Sequence, residues 1–316
     1  MLFRSLAAAH NLAISLRLVG DCFAARDLDQ ETLDRRRVVL GENHPYTLHS
    51  AANLAQDMRE GGAFRDSVDL LRSTLDRFAV LGDDMPETLR TATSLAVSLR
   101  KAGEQVEARD LTRDTYERYR RKYGGNSPDA LACGLNLACD YAARDDMPRA
   151  LELVTEIRAA YQASLGQDHP NTLVAANNLA SYLRCTGQLS QARLLMQDTL
   201  RLMRVWLGDD HPLTLSCVIN LANCLGDAGD LAESEELQRA AIARLRETLG
   251  PDHPDTLVGQ ANLSVALHEA ARDQEAEQLR EQILGHFGRV LGPGHPDAAQ
   301  LRNWERINRD LEPQPI

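Results

Sequence analysis

The chain has 316 residues, 43% hydrophobic and only 4% aromatic, and its 35 Lys and Arg against 46 Asp and Glu leave a formal net charge of −11. That balance disfavours non-specific attachment to nucleic acid or to an anionic membrane surface, and no run of 18 apolar residues offers a transmembrane helix. Six cysteines, at 22, 133, 139, 185, 217 and 224, form no CxxC pair, a scatter that predicts reduced thiols in a cytoplasmic protein, without disulfides or a zinc site.

One phrase organises the rest. It reads LGENHPYTL from Leu40, LGDDMPETL from Leu81, YGGNSPDAL from Tyr123, LGQDHPNTL from Leu165, LGDDHPLTL from Leu207, LGPDHPDTL from Leu249 and LGPGHPDAA from Leu291. Its prolines, Pro45, Pro86, Pro128, Pro170, Pro212, Pro254 and Pro296, stand 42 residues apart with a single 41. In phase with it, an Asn-Leu-Ala phrase begins at Asn11, Asn53, Asn136, Asn178, Asn220 and Asn262, where Ser264 ends it, with Ser94 substituting once for the Asn. Nine residues after the Asn comes Gly20, Gly62, Gly103, Gly187 or Gly229, and fourteen after it a small residue such as Ala25, Ser67 or Ala192. Each unit reads as helix, Gly-centred turn, helix, and a fixed period of this size marks a solenoid of stacked supersecondary units.

In chain order, the first repeat (1–40) predicts helices near 2–19 and 23–39, and the second (41–81) turns at Gly61-Gly62. The third (82–123) is the short one, with Met85 in place of His. The fourth (124–165) deviates most: Asp145 replaces the turn Gly, and Pro148 fits the first turn of the second helix, where a missing N–H costs nothing. Repeats at 166–207, 208–249 and 250–291 keep the pattern, except that Ala271 stands where Gly would. A cap over 292–310 is expected to hold one more helix near 297–310 with Arg302, Glu305, Arg306 and Arg309 on a polar outer face, before a loose extended tail at 311–316. In the recurring phrase, Pro presets φ and the Asp or Asn two residues before it is expected to cap the helix. The histidines at 44, 169, 211, 253 and 295 form a row rather than a convergent set, so no metal site is expected.

The pattern resembles the tetratricopeptide repeat, in its 42-residue kinesin-light-chain form with LGxxHPxTL and NLA phrases. The resemblance implies an all-α, right-handed superhelical solenoid of about seven helix-turn-helix repeats with a C-terminal capping helix. In bacteria, arrays of this form often follow signal-transducing NTPases of the NB-ARC type. Starting in register but without the phrase that should precede its first helix, and ending in Asp-Leu-Glu-Pro-Gln-Pro, the chain is similar to the sensor part of such actinobacterial regulators. An upstream NTPase domain is therefore expected.

Placing each Asn at zero on a helical wheel puts Leu at Asn+1, Ala at +2 and the apolar residue at +5 on the packed stripe. Opposite lie the Asn itself and positions +3, +7 and −4. In the tetratricopeptide family that opposite face lines the concave groove where ligands lie. Carried over, the groove would show Asn11, Asn53, Ser94, Asn136, Asn178, Asn220 and Asn262. An Asn amide both donates and accepts, so a row of them can hold an extended peptide backbone without reading its sequence. The other reading is that each Asn bonds the neighbouring repeat. A second row, Arg17, Arg59, Arg100 and Arg184 at Asn+6, with His10, His49, Arg90 and Lys101 nearby, suggests a groove that prefers an acidic peptide or a C-terminal carboxylate. Against this, each Arg has Asp or Glu close by with which to pair.

No phosphate-binding glycine loop, HExxH, GxSxG or Cys–His pairing is present. The expectation is therefore a non-catalytic regulatory scaffold for a peptide or partner segment, with no cofactor. The alternatives are an intracellular receptor for a short signalling or precursor peptide and, last, an enzyme subunit.

Overall fold

The computed structural model describes residues 2–144 and 146–313, with side chains from Leu6 onward. Asp145, in the turn of the fourth repeat, and the last three residues of the expected tail lie outside them. The described residues form fifteen α-helices and no β-sheet, an all-α helical-repeat solenoid. They divide into two compact units, Met1–Asp140 and Tyr141–Ile316.

The first unit holds α1 (Leu2–Leu18), α2 (Cys22–Leu40), α3 (Pro45–Glu60), α4 (Phe64–Ala79), α5 (Pro86–Lys101), α6 (Gln105–Tyr123) and most of α7 (Pro128–Ala142). The second holds α8 (Met147–Leu165), α9 (Pro170–Cys185), α10 (Leu189–Leu207), α11 (Pro212–Asp227), α12 (Leu231–Thr248), α13 (Pro254–Glu269), α14 (Asp273–Val290) and α15 (Pro296–Arg302). Within the units sequential helices pack on one another from α1 to α6 and from α8 to α15, and first helices also touch in succession, α3 on α5, α9 on α11, α11 on α13 and α13 on α15.

The recurring phrase is a helix-start device. All seven of its prolines open a helix. The cap, however, is the histidine and not the Asp or Asn before it. Nδ1 of His44, His169, His211, His253 and His295 accepts the backbone N–H two residues on, at 3.1–3.2 Å. That satisfies one of the amides a helix start leaves unpaired. Met85, which has no acceptor, makes no such bond.

Between the paired helices the seven small residues, Ala25, Ser67, Ala108, Ala150, Ala192, Ser234 and Ala276, are all wholly buried. Each lets the second helix approach the first, and the two serines also donate back to it, Ser67 to the Ala55 carbonyl and Ser234 to that of Ala222. The turn before them needs a left-handed residue. Gly229 meets this at φ 89°, whereas Ala271 is held there at φ 57°, a conformation that costs an L-residue about 1–2 kcal/mol.

The C-terminus departs from expectation. The helix α15 ends at Arg302, not near 310, and residues 305–313 are neither helical nor loose. Arg306 and Arg309 do not form the polar outer face of a cap. They point inward, because the segment after α15 lies along the first helices of the second unit.

Candidate functional site

The site is built by α9, α11 and α13, whose 42-residue period brings Asn178, Asn220 and Asn262 into one line. All three are fully buried. Each holds one residue of the C-terminal segment by both its main-chain groups. Asn262 donates to the Ile307 carbonyl (2.9 Å) and accepts its N–H (2.7 Å). Asn220 does the same for Arg309 (2.8 and 3.1 Å), and Asn178 for Leu311 (2.9 and 2.8 Å).

The alternation is what an extended strand requires. Successive residues point their N–H and C=O to opposite sides, so only every second one can face the ladder. The pairs are 45, 89 and 133 residues apart in sequence, each step being one repeat plus two residues of strand. The segment thus runs opposite to the order of the repeats. Neighbouring amides brace the rungs: Asn177 donates to Asn178 and accepts from Asn220, and Asn223 donates to the Ile307 carbonyl at 3.2 Å.

Side chains add to the main-chain pairing. Ile307 and Leu311 are 2% and 3% exposed. Arg306, with its side chain 3% exposed, donates Nε to Asp227 at 2.8 Å and Nη2 to Glu269. Arg309 pairs with Asp255 and lies 3.8 Å from Asp297. Burial pushes the Glu269 carboxyl above its ordinary range while the Arg306 guanidinium pulls it down. Trp304 stacks on His268 with centroids 4.3 Å apart and carries Arg280 over its ring.

The ladder positions of the first unit are placed differently. Asn11 is exposed. Asn53 faces His10 at 3.4 Å. Asn136 donates to the Ala132 carbonyl and accepts from Arg100.

The Arg row is not a set of unpaired cations. Arg17 bonds Asp57 at 2.5 Å and Asp29 at 3.3 Å, Arg59 bonds Ser94, Arg100 bonds Asp140 at 2.8 Å, and Arg184 bonds Asp227 and Asn308. Each reaches a first helix one repeat on, and Arg17 also α2. Among the other expected residues, Arg90 makes a bidentate pair with Asp129, His49 packs edge-on to Phe78, and Lys101 sits over Phe64. Burial beside Arg36, His49 and Arg17 lowers His10 to about 4, so its ring is neutral.

Profiles of the tetratricopeptide repeat match residues 4–79, 130–204 and 215–287, and a second profile of that description matches 88–129. The chain belongs to the tetratricopeptide repeat family. A putative kinesin light chain from Podosopora anserina with nearly identical TPR-like repeats is 27% identical, covering 64% of this chain and 95% of its own, with a TM-score of 0.48. A Rap protein complexed with competence and sporulation factor (13% identity; 91% and 78% covered; TM-score 0.68) and NprR in complex with its cognate peptide NprX (16%; 96% and 83%; 0.67) share the fold of this tetratricopeptide array. Comparison with curated proteins gives no match.

Sequence reasoning placed the ladder but missed what lies on it. Asp227 and Glu269 occupy Asn+7, and Asn223 occupies Asn+3, both positions on the groove side of the wheel. Their carboxylate and amide character was a usable signal. Gly226, at Asn+6 where other repeats carry Arg, was another. The C-terminal strand itself has no periodicity to announce it.

Proposed function

We propose that the tetratricopeptide array is a non-catalytic receptor for an extended polypeptide segment, bound along α9, α11 and α13 by Asn178, Asn220 and Asn262. The observation that carries this is the set of three two-way amide pairs to alternate residues of a strand. Six main-chain hydrogen bonds made by side chains of three separate helices form a device for gripping a backbone, and they can do so for any sequence. That two proteins of the same fold are complexed with a cognate peptide or with competence and sporulation factor supports the reading.

The main-chain grip engages residues 307–311, which favours recognition of a short linear segment over a broad scaffold surface. Its preference for an acidic segment or a terminal carboxylate loses its basis, since Arg17, Arg59, Arg100 and Arg184 already have partners within their own unit. The reading extends to a cytoplasmic regulatory role, in which groove occupancy is the signal passed to an upstream NTPase domain.

The test is fluorescence anisotropy of a labelled extended peptide, sequence 305–312, titrated with the full chain and with an Asn178→Ala, Asn220→Ala, Asn262→Ala variant of native circular dichroism. We expect saturable binding that the variant weakens by about 100-fold, from the loss of several bonds of about 1 kcal/mol each. Equal binding by both proteins would overturn the reading.

A further inference from the structure

Resting on that reading, we infer that the groove selects a basic, apolar segment of another polypeptide with the spacing Arg-Ile-x-Arg-x-Leu, and that residues 306–311 are its tethered competitor. The Asn ladder reads only backbone, so selection falls to the side chains between and beside the rungs. There the array presents carboxylates: Asp227 and Glu269 close on Arg306, and Asp255 on Arg309 with Asp297 nearby. Two buried apolar positions, those of Ile307 and Leu311, complete the pattern. Arg pairs with such carboxylates through several donors at once, which fixes register as well as charge.

Gly226 shows that the first slot is made for a guest arginine. At this position α1, α3, α5 and α9 carry Arg17, Arg59, Arg100 and Arg184, which supply a guanidinium to the next first helix from within the array. In α11 the position is glycine, and a Cβ there would stand 2.1 Å from Nη2 of Arg306. α7 and α13 carry Ala142 and His268 there, and at Gly226 the guanidinium that those four repeats own is delivered by the incoming strand. A segment that follows the exposed residues Asn303 and Glu305 and forms no helix can leave without unfolding any helix of the array. Tethering gives it a high effective concentration, so it holds the groove against weak or mismatched segments and yields to a better one.

The experiment keeps the full chain throughout. Arg306→Glu with Arg309→Glu sets the tail against Asp227, Glu269 and Asp255, and Leu311→Asp unseats it from the other end. Each is titrated by anisotropy with a labelled peptide of sequence 305–312, and with the same peptide carrying Glu at both Arg positions. The expected result is that both tail variants bind the native peptide at least about tenfold tighter than wild type does, that neither binds the Glu peptide, and that adding Asn220→Ala removes the gain.

Equal affinity of wild type and tail variants would overturn the tethered competitor. Equal binding of Arg and Glu peptides, still abolished by Asn220→Ala, would overturn the charge selection while leaving the backbone receptor standing. Failure of both peptides to bind either folded variant would remove receptor and selection together. A wild-type dimer by light scattering that dissociates in the tail variants would assign the slot to a second copy's tail and overturn the proposal.

Discussion

The two units carry the same Asn ladder and use it in different ways. In the second, the rungs face an extended strand, and every amide of the ladder is paired to main chain. In the first, Asn53 meets His10 and Asn136 meets Arg100, so the ladder is tied into side chains of its own repeats. One difference lies at Asn+6. In the first unit Arg17, Arg59 and Arg100 each send a guanidinium to the next first helix. In the second unit Arg184 does the same and also bonds Asn308 of the strand, while at Gly226 the space is filled by Arg306 of the strand. Glycine at this one position admits Arg306, and the rungs on either side, beside Arg184 and His268, hold the strand as well.

The largest effect should come from the ladder itself. With Asn178, Asn220 and Asn262 all changed to Ala, amide exchange at Ile307, Arg309 and Leu311 should accelerate by at least about 100-fold, since buried bonds of about 1 kcal/mol each are lost. The matching Asn53→Ala change in the first unit should leave exchange across α3 within about threefold, because among the described residues the side-chain bond of Asn53 is a long one, to His10 at 3.4 Å.

Next, Gly226→Arg should convert the second unit's slot to the first unit's arrangement. Exchange at Ile307 should rise by about tenfold or more as Arg306 loses its place, while the melting temperature moves by less than about 4 °C because the new guanidinium can reach Glu269 on α13. A large drop in melting temperature with the tail still protected would contradict the comparison.

The first unit should show a pH signature from its buried cluster of Arg17, Asp29, Asp57, Arg36 and His10. Burial, with Asp57 beside it, raises the Asp29 carboxyl to about 8. Between its ordinary value and 8, the folded state holds a proton that the unfolded state has shed, so this stability is lost as pH rises through the window. His10, lowered to about 4, acts in the opposite sense between about 4 and 6.5, where rising pH favours the folded state. Above about 6.5 the raised carboxyls of Asp29 and Asp57 remain. Protection of α1 to α3 in hydrogen exchange should therefore fall as pH rises from there to about 8, and Asp29→Asn should flatten the slope.

The smallest effect lies at Ala271, where relief of the left-handed strain by Ala271→Gly should stabilise the second unit by about 1 kcal/mol in thermal melting.

Much of this was legible in the primary structure because a repeat announces itself. Prolines at a fixed interval gave the helix starts, the Asn spacing gave one aligned row, and the small residue fourteen positions on gave the close helix pair. The cap was misplaced by one residue, since the acidic residue in the phrase is the commoner helix cap and the histidine's Nδ1 is an unusual one. The terminal strand was hidden for a physical reason. Its period of two meets the array's period of 42 only in space, across separations of 45 to 133 residues, and its arginines read as surface charge until Asp227, Glu269 and Asp255 are seen around them.

The most direct test is residue-resolved amide exchange along 304–312 by nuclear magnetic resonance. Slow exchange is expected at Ile307, Arg309 and Leu311 with faster exchange at Asn308 and Asp310, and loss of protection first at Ile307 with Asn262→Ala, at Arg309 with Asn220→Ala and at Leu311 with Asn178→Ala. Uniform exchange along the segment, or an alternation indifferent to which Asn is removed, would contradict the claim that the ladder grips a backbone.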